Sequence, residues 1–191
     1  MTADFLILGA GMAGAAAGYF LAERGRVLML EREDAPGYHS TGRSAALYTE
    51  TYGNETIRAL TVASGRFFRA PPPGFAEVPL LKPRGLLMAA PAADEARFEA
   101  ALALGRRFAP EVRRLTRAEA LALCPVLRAD WLGHAFLEPE AMDMDVHAIH
   151  HGFLAGMRAR GGHLLTGAAA RSIARSGGLW RVETAAGSFA A

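Results

Sequence analysis

Residues 5–31 constrain this chain more than any other stretch. An apolar run, Phe5-Leu6-Ile7-Leu8, leads into the turn Gly9-Ala10-Gly11-Met12-Ala13-Gly14. A helical pattern runs from about Met12 to Arg24, and Val27-Leu28-Met29-Leu30 then ends on an acid, Glu31. Strand, glycine turn, helix, strand and acid in that order form the dinucleotide-binding fingerprint in its full context. Gly9 permits the tight turn, Gly11 lets a pyrophosphate approach the backbone, and Gly14 lets the helix pack close to the sheet. The helix N-terminus offers free N–H groups and a positive dipole end to phosphate. Glu31 follows the first glycine by 22 positions, close to the ~20 expected of a carboxylate that accepts ribose hydroxyls.

The same stretch invites a membrane-span or signal-peptide interpretation, because Phe5 to Ala22 carries no charge. Four glycines at 9, 11, 14 and 18 make a poor continuous helix. Only Met-Thr-Ala-Asp precedes the run, so the basic region of a signal peptide is missing. No transmembrane segment is therefore expected.

The chain has 191 residues and is 51% hydrophobic, enough for a sizeable core. Its formal net charge of +2 gives no reason to expect nucleic acid. The basic side chains are arginines apart from Lys82. A lone cysteine, Cys124, excludes an internal disulfide and fits a reducing compartment, so a cytoplasmic location is expected, with a peripheral membrane association left open. Lacking a cationic neighbour in sequence, Cys124 reads as a packed thiol.

Beyond Glu31 comes a polar turn, then Tyr38-His39-Ser40-Thr41-Gly42-Arg43-Ser44-Ala45-Ala46. Helical spacing over 55–70 has Ile57, Leu60, Phe67 and Phe68 as its apolar marks, and Pro71-Pro72-Pro73-Gly74 ends it. A strand is predicted over 85–90 and an amphipathic helix over 92–108. Thr116-Arg117-Ala118-Glu119 is a capping box. A strand over 134–137 follows, then a helix over 146–160 capped by Asp145. Three strands are predicted over 163–166, 169–174 and 179–184, with Gly177-Gly178 as a turn. The pattern implies an α/β chain: a Rossmann-like dinucleotide-binding domain in two pieces, 1–74 and 143–191, with 75–142 inserted as part of a substrate lobe. A doubly wound sheet normally has more parallel strands than this. The chain is accordingly expected to be the N-terminal portion of a longer protein.

The glycines alone admit either a nicotinamide or a flavin dinucleotide. A flavin must lie over the sheet, which calls for a second loop with small residues for close approach and hydroxyls or arginine for phosphate and ring edges. Ser40, Thr41, Arg43 and Ser44 answer that description.

With these residues in hand, the chain resembles the FAD-dependent D-amino acid oxidase/dehydrogenase superfamily, and within it the bacterial D-arginine dehydrogenases. The matching runs are 30–33, 36–46, Tyr52-Gly53, Pro79-Leu80-Leu81, Pro83-Arg84 and Pro125-Val126-Leu127-Arg128, and they span essentially the whole chain. The resemblance implies noncovalent FAD and oxidation of a D-amino acid or related amine by hydride transfer to the flavin, giving an imino and then a keto acid plus ammonia. It implies that Gly9, Gly11, Met12, Ala13 and Gly14 line the pyrophosphate, and that Glu31 and Arg32 hold the adenosine ribose and its surroundings. Ser40, Thr41, Arg43, Ser44, Ala45 and Ala46 would reach the ribityl chain and ring, and Ala170, in a predicted strand, would meet the adenine through its backbone. Tyr52 matches a tyrosine that closes over the substrate, or it is simply a packed tyrosine. Leu47 and Leu86 replace a histidine and a glutamate of the D-arginine enzymes. An unpaired buried cation is costly, so an apolar D-amino acid fits better than D-arginine. The substrate's carboxylate-binding arginine would lie beyond residue 191, and no catalytic acid or base is assigned within the chain. The electron acceptor is left as oxygen or a quinone. A nicotinamide-dependent dehydrogenase and a noncatalytic dinucleotide-binding fragment are the competing functions.

Other constellations carry less. His147 and His151 have i, i+4 spacing, but no third ligand is apparent, so no metal is expected, and His147, His150 and His151 read as a solvated helix face. Glu138 and Glu140 read as loop acids. Trp131 and Trp180 read as fillers of core or inter-lobe space.

Overall fold

The computed structural model describes residues 2–191. The elements run β1 (Phe5–Leu8), α1 (Met12–Leu21), β2 (Val27–Leu30), β3 (Leu47–Tyr48), α2 (Glu55–Arg69), β4 (Leu81–Pro83) and β5 (Leu86–Pro91). A short 3-10 turn, Ala92–Asp94, precedes α3 (Glu95–Phe108), β6 (Arg113–Leu115), α4 (Arg117–Leu123), β7 (Leu132–Glu138) and β8 (Met142–Met144). The last elements are α5 (Val146–Ala159), β9 (His163–Leu165), β10 (Ser172–Ser176), β11 (Leu179–Thr184) and β12 (Gly187–Ala190). They divide into two compact units.

The first unit holds the described residues up to Ala45, with Pro72–Val78 and Asp145–Ala191. Its parallel sheet has the order β1-β2-β9, and β10, β11 and β12 form a separate antiparallel sheet. Alternation along β2 assigns its two faces. Leu28 and Leu30 join Val182 and Phe189 in one buried cluster. Met29 points the other way, where its methyl meets Gly18 of α1 beside Met157 of α5. The parallel sheet is thus sandwiched between a helical layer and an antiparallel layer, and burial on both faces explains why β2 is apolar throughout. Phe75 draws its segment into this unit, since its ring packs edge-on against Tyr19 and Phe153 at 5.6 and 5.1 Å.

The second unit comprises Ala46–Pro71 and Pro79–Met144. Two antiparallel sheets, β3-β8-β4 and β5-β7-β6, carry helices α2 to α4. Residues 46–71, counted from sequence with the nucleotide-binding half, lie here because β3 pairs with β8 and α2 packs on α3. Asn54 caps α2 by accepting the Ile57 N–H at 3.0 Å, the Thr116–Glu119 capping box forms as expected, and Asp145 in the first unit caps α5 through Ala148.

Several boundaries differ from the sequence pattern. α1 stops at Leu21, because the Glu23 and Arg24 N–H groups bond to Phe20 and Leu21 and tighten the last turn. The predicted strand at 169–174 begins only at Ser172, so Ala170 is outside any strand and exposed. α2 turns Arg58 and Gly65 inward and leaves Ile57 and Leu60 exposed. Trp131 and Trp180 are exposed rather than core residues.

Candidate functional site

The glycine turn has the geometry its residues require. Gly9 has φ +98°, a left-handed conformation that disfavours any side chain. A Cβ on Gly14 would stand 2.0 Å from the Gly9 carbonyl oxygen, so helix and turn touch backbone to backbone. Glu31 is buried at the end of β2. Its Oε2 accepts the Ala10 N–H at 2.7 Å and its Oε1 accepts the Glu33 N–H at 3.0 Å. A carboxylate has about four acceptor sites, so the two bonds leave room for sugar hydroxyls.

The second loop comes to the same place. Thr41 Oγ1 accepts the Met12 N–H at 2.9 Å and thereby caps α1, whose N-cap residue, Gly11, has no side chain to do so. A Cβ on Gly11 would meet that hydroxyl at 3.3 Å. Gly11, Glu31, Gly37, Tyr38, His39, Ser40 and Thr41 line a cavity of ≈ 190 Å³. That is below the ~300–1,000 Å³ of a complete small-molecule site, so it suits one segment of an extended ligand, such as the ribose and diphosphate of a dinucleotide. The residues therefore fit the group they were expected to hold.

Other residues expected in this site stand apart from the cavity. Ala13 is exposed on the first turn of α1. Arg32 is exposed, its guanidinium held by Glu33 at 3.0 Å and His39 at 2.9 Å. Arg43, Ser44 and Ala45 are exposed, with the Arg43 guanidinium 5.6 Å from the Tyr38 ring, and Ala46 begins the second unit. Ala170 follows a segment docked on the end of β2, where the Ala168 N–H donates to the Glu31 carbonyl.

Sequence reasoning missed His150. It is 4% exposed, and its Nε2 lies 2.8 Å from the Ala10 carbonyl oxygen of the glycine turn. The solvated face expected for this helix holds for His147 and His151, which are exposed with ring centroids 4.0 Å apart, but not for His150. The signal was available: helical spacing puts His150 in line with the buried Leu154 and Met157. Among the described residues, no three candidate metal ligands cluster.

In the second unit, Leu47 and Tyr52 line one cleft of ≈ 270 Å³ with Tyr48, Ile57, Leu60, Phe68 and Met144. Tyr52 is 73% exposed, which excludes the packed-core alternative for it. Leu86 lies elsewhere, on β5 opposite Glu138 of β7. Glu138, expected in a loop, is a fully buried strand residue. It accepts Thr49 Oγ1 at 2.6 Å, Thr51 Oγ1 at 2.5 Å and the Glu50 N–H at 2.7 Å, and so holds the segment between Leu47 and Tyr52.

Tyr48, on the same segment, donates to Glu50 Oε1 at 2.5 Å. Burial first, and then its bond to Glu50, push the Tyr48 phenol up from 10.0 to about 12. A phenol whose pKa is raised on folding contributes stability that is complete below pH 10 and lost as pH climbs toward 12. Unfolding free energy is therefore expected to fall across that window, and to fall less steeply in Tyr48→Phe. Urea denaturation at stepped pH measures both slopes.

Comparisons with known proteins bear on the fold and the family. Glycine oxidase from Geobacillus kaustophilus superposes with a TM-score of 0.85 at 22% identity, over 100% of this chain and 53% of that one. An L-alpha-glycerophosphate oxidase from Mycoplasma pneumoniae, solved with FAD bound, gives 0.85 at 16% identity, over 100% and 52%. L-Amino acid deaminase from Proteus myxofaciens gives 0.78 at 20%, over 98% and 43%. The chain thus spans about half the length of the solved structures it matches. At these identities the likeness establishes the fold, a Rossmann-like α/β architecture. No helix among the described residues is long and apolar enough to cross a membrane. The family model described as DAO, FAD dependent oxidoreductase, matches residues 4–191, and with nearly every residue covered the chain belongs to that family and FAD is its cofactor.

Proposed function

We propose that this chain is the FAD-binding part of an enzyme that oxidises a small amine, with an apolar D-amino acid preferred over D-arginine. The observation that carries it is the bond from the Met12 N–H to Thr41 Oγ1. It joins the glycine turn to the hydroxyl-rich loop at the lip of the cavity that Glu31 lines. Glu31 would orient the ribose through its free acceptor sites. Gly9, Gly11, Met12, Ala13 and Gly14 would cradle the diphosphate, and Ser40 and Thr41 would add hydroxyls to it. Arg32 would border the adenosine, and Arg43, Ser44, Ala45 and Ala46 would border the flavin. Ala170 would face the adenine from its docked segment. When bound, FAD would supply the acceptor for the hydride on the substrate α-carbon; the amine proton would pass to solvent, water would convert the imino acid to a keto acid and ammonia, and oxygen or a quinone would reoxidise the flavin.

The substrate preference rests on the Leu47–Tyr52 cleft, whose lining residues include no acid. A guanidinium placed there would lose its hydration without gaining a counter-charge. For Leu86 the proposal rests on the resemblance to the D-arginine enzymes alone. The glycine oxidase and the amino acid deaminase are named for amino acids, and the glycerophosphate oxidase for an alcohol. The fold alone therefore does not choose between amine and hydroxyl oxidation; the cleft's lining, which offers the hydroxyls of Thr49, Thr61 and Ser64 but no cation for a phosphate, favours the amine of an apolar amino acid over a phosphorylated alcohol.

The test purifies the whole enzyme of which this chain is the FAD-binding part, adds FAD and then, without oxygen, a panel of D- and L-amino acids, glycine and glycerol 3-phosphate. The expected result is a bound-flavin spectrum that bleaches with apolar D-amino acids ahead of D-arginine. Faster bleaching by D-arginine or glycerol 3-phosphate would overturn the substrate assignment. Bound flavin that nothing on the panel reduces would favour a noncatalytic dinucleotide-binding fragment. Absence of FAD binding would overturn the whole reading.

A further inference from the structure

His150 reaches the glycine turn from the helical layer, a direction outside the dinucleotide fingerprint. Its Nε2 is 2.8 Å from the Ala10 carbonyl oxygen, in a site where the imidazole is buried. A carbonyl can only accept, so Nε2 carries the hydrogen and donates it. On the other side of the same residue, the Ala10 N–H donates to Glu31 Oε2 at 2.7 Å. Both peptide units flanking Ala10 are thus held. A trans peptide is planar, with its C=O and N–H opposed. Holding the Ala10 carbonyl against α5 therefore turns the Gly11 N–H to the opposite side. Gly11 itself lines the cavity shared with Glu31 and Thr41. Rotation of that peptide would replace a donor facing the anion by a carbonyl oxygen repelling it.

The imidazole also spaces the second loop. Gly37 has φ +75°, and a Cβ there would come within 2.9 Å of His150 Cε1 and 3.2 Å of Nδ1. One side chain is therefore in contact with both loops that border the cavity.

We propose that His150 is a positioning residue for the dinucleotide's diphosphate, fixing the Ala10–Gly11 peptide so that its N–H is presented to the anion. The assignment rests on the FAD reading above, and it goes beyond that reading in predicting which ligands feel the loss. Titrations of the chain, of His150→Leu and of His150→Gln with FAD, ADP-ribose and adenosine test it. His150→Leu is expected to weaken FAD and ADP-ribose by about tenfold or more while moving adenosine, which has no phosphate, by less than about threefold. His150→Gln keeps an N–H donor within reach of the carbonyl and is expected to restore most of the loss. Equal weakening of all three ligands, or a glutamine variant no better than leucine, would reduce His150 to a packing role and overturn the assignment. So would leucine-variant affinities that match the wild type. Should the leucine variant fail to fold, nitrogen NMR of the wild-type imidazole decides: a ring protonated at Nε2 supports the bond, and a ring protonated only at Nδ1 overturns it. A wild-type chain that binds neither FAD nor ADP-ribose would instead overturn the FAD reading, and this assignment with it.

Discussion

Gly14→Ala is expected to abolish useful FAD affinity. The new methyl would fall 2.0 Å from the Gly9 carbonyl oxygen, with the Gly9 carbonyl carbon at 3.1 Å and the Ile7 side chain at 3.4 Å. No rotamer relieves a Cβ clash with backbone, so α1 must lift from the turn. Overpacking of this kind costs about 1–3 kcal/mol of stability. Binding is lost as well, because lifting α1 separates the Met12 N–H from Thr41 Oγ1 and moves the helix N-terminus off the cavity. An affinity loss of about a hundredfold, ~2.7 kcal/mol, is the expected scale. Fluorescence titration with FAD measures it, and thermal unfolding of the ligand-free chain separates the stability loss from the binding loss. Affinity within a few-fold of wild type would refute the close-approach role of Gly14.

The largest stability effect is expected at Glu138. Its carboxylate accepts from two threonine hydroxyls and one backbone N–H while fully buried. It also faces Arg58, where burial pulls the guanidinium pKa down and the Glu138 charge opposes that pull. Arg58 Nη1 is buried without a hydrogen-bond partner, and Arg58 Nε is held by the Gly53 carbonyl at 2.9 Å. Removing the acid strands these donors together. Glu138→Ala is expected to cost about 3–5 kcal/mol, the range for breaking one side of a buried charged network. Glu138→Gln preserves shape and one acceptor oxygen, and should cost about 1–3 kcal/mol. Urea unfolding of both variants measures the difference. Two variants of equal, small cost would mean that the network does not hold the 47–52 segment.

Much of the candidate dinucleotide site was legible in the sequence, and the reason is physical. The roles proposed for Gly9, Gly11, Gly14 and Glu31 follow from local backbone geometry and from a spacing set by one strand and one helix. Such features need little knowledge of what lies far along the chain. The second loop was legible by composition, as a cluster of hydroxyls. That it is Thr41 in particular that caps Met12, across 29 positions, is a tertiary fact. The β pattern extends back to 169, but ladder pairing starts at Ser172 and leaves Ala170 outside the strand. Residues 46–71 were grouped by sequence order, yet pairing of β3 with β8 and packing of α2 on α3 place them with the second unit.

Buried polar residues were the hardest to recognise. His150 and Glu138 are polar letters, and a polar letter in a periodic pattern suggests a solvent-facing position. Burial of such a group is stable only when a partner satisfies it, and the partners here lie 140 positions away for His150 and 87 to 89 for Glu138. The amino-acid sequence alone determined the strand–turn–helix with its acid, and with them a chain built around a dinucleotide, because those features depend on short-range geometry. Only the tertiary structure decided which carbonyl the imidazole holds, which hydroxyl closes the helix end and which acid braces the 47–52 segment. Those choices come from long-range packing that brings distant polar groups out of water together.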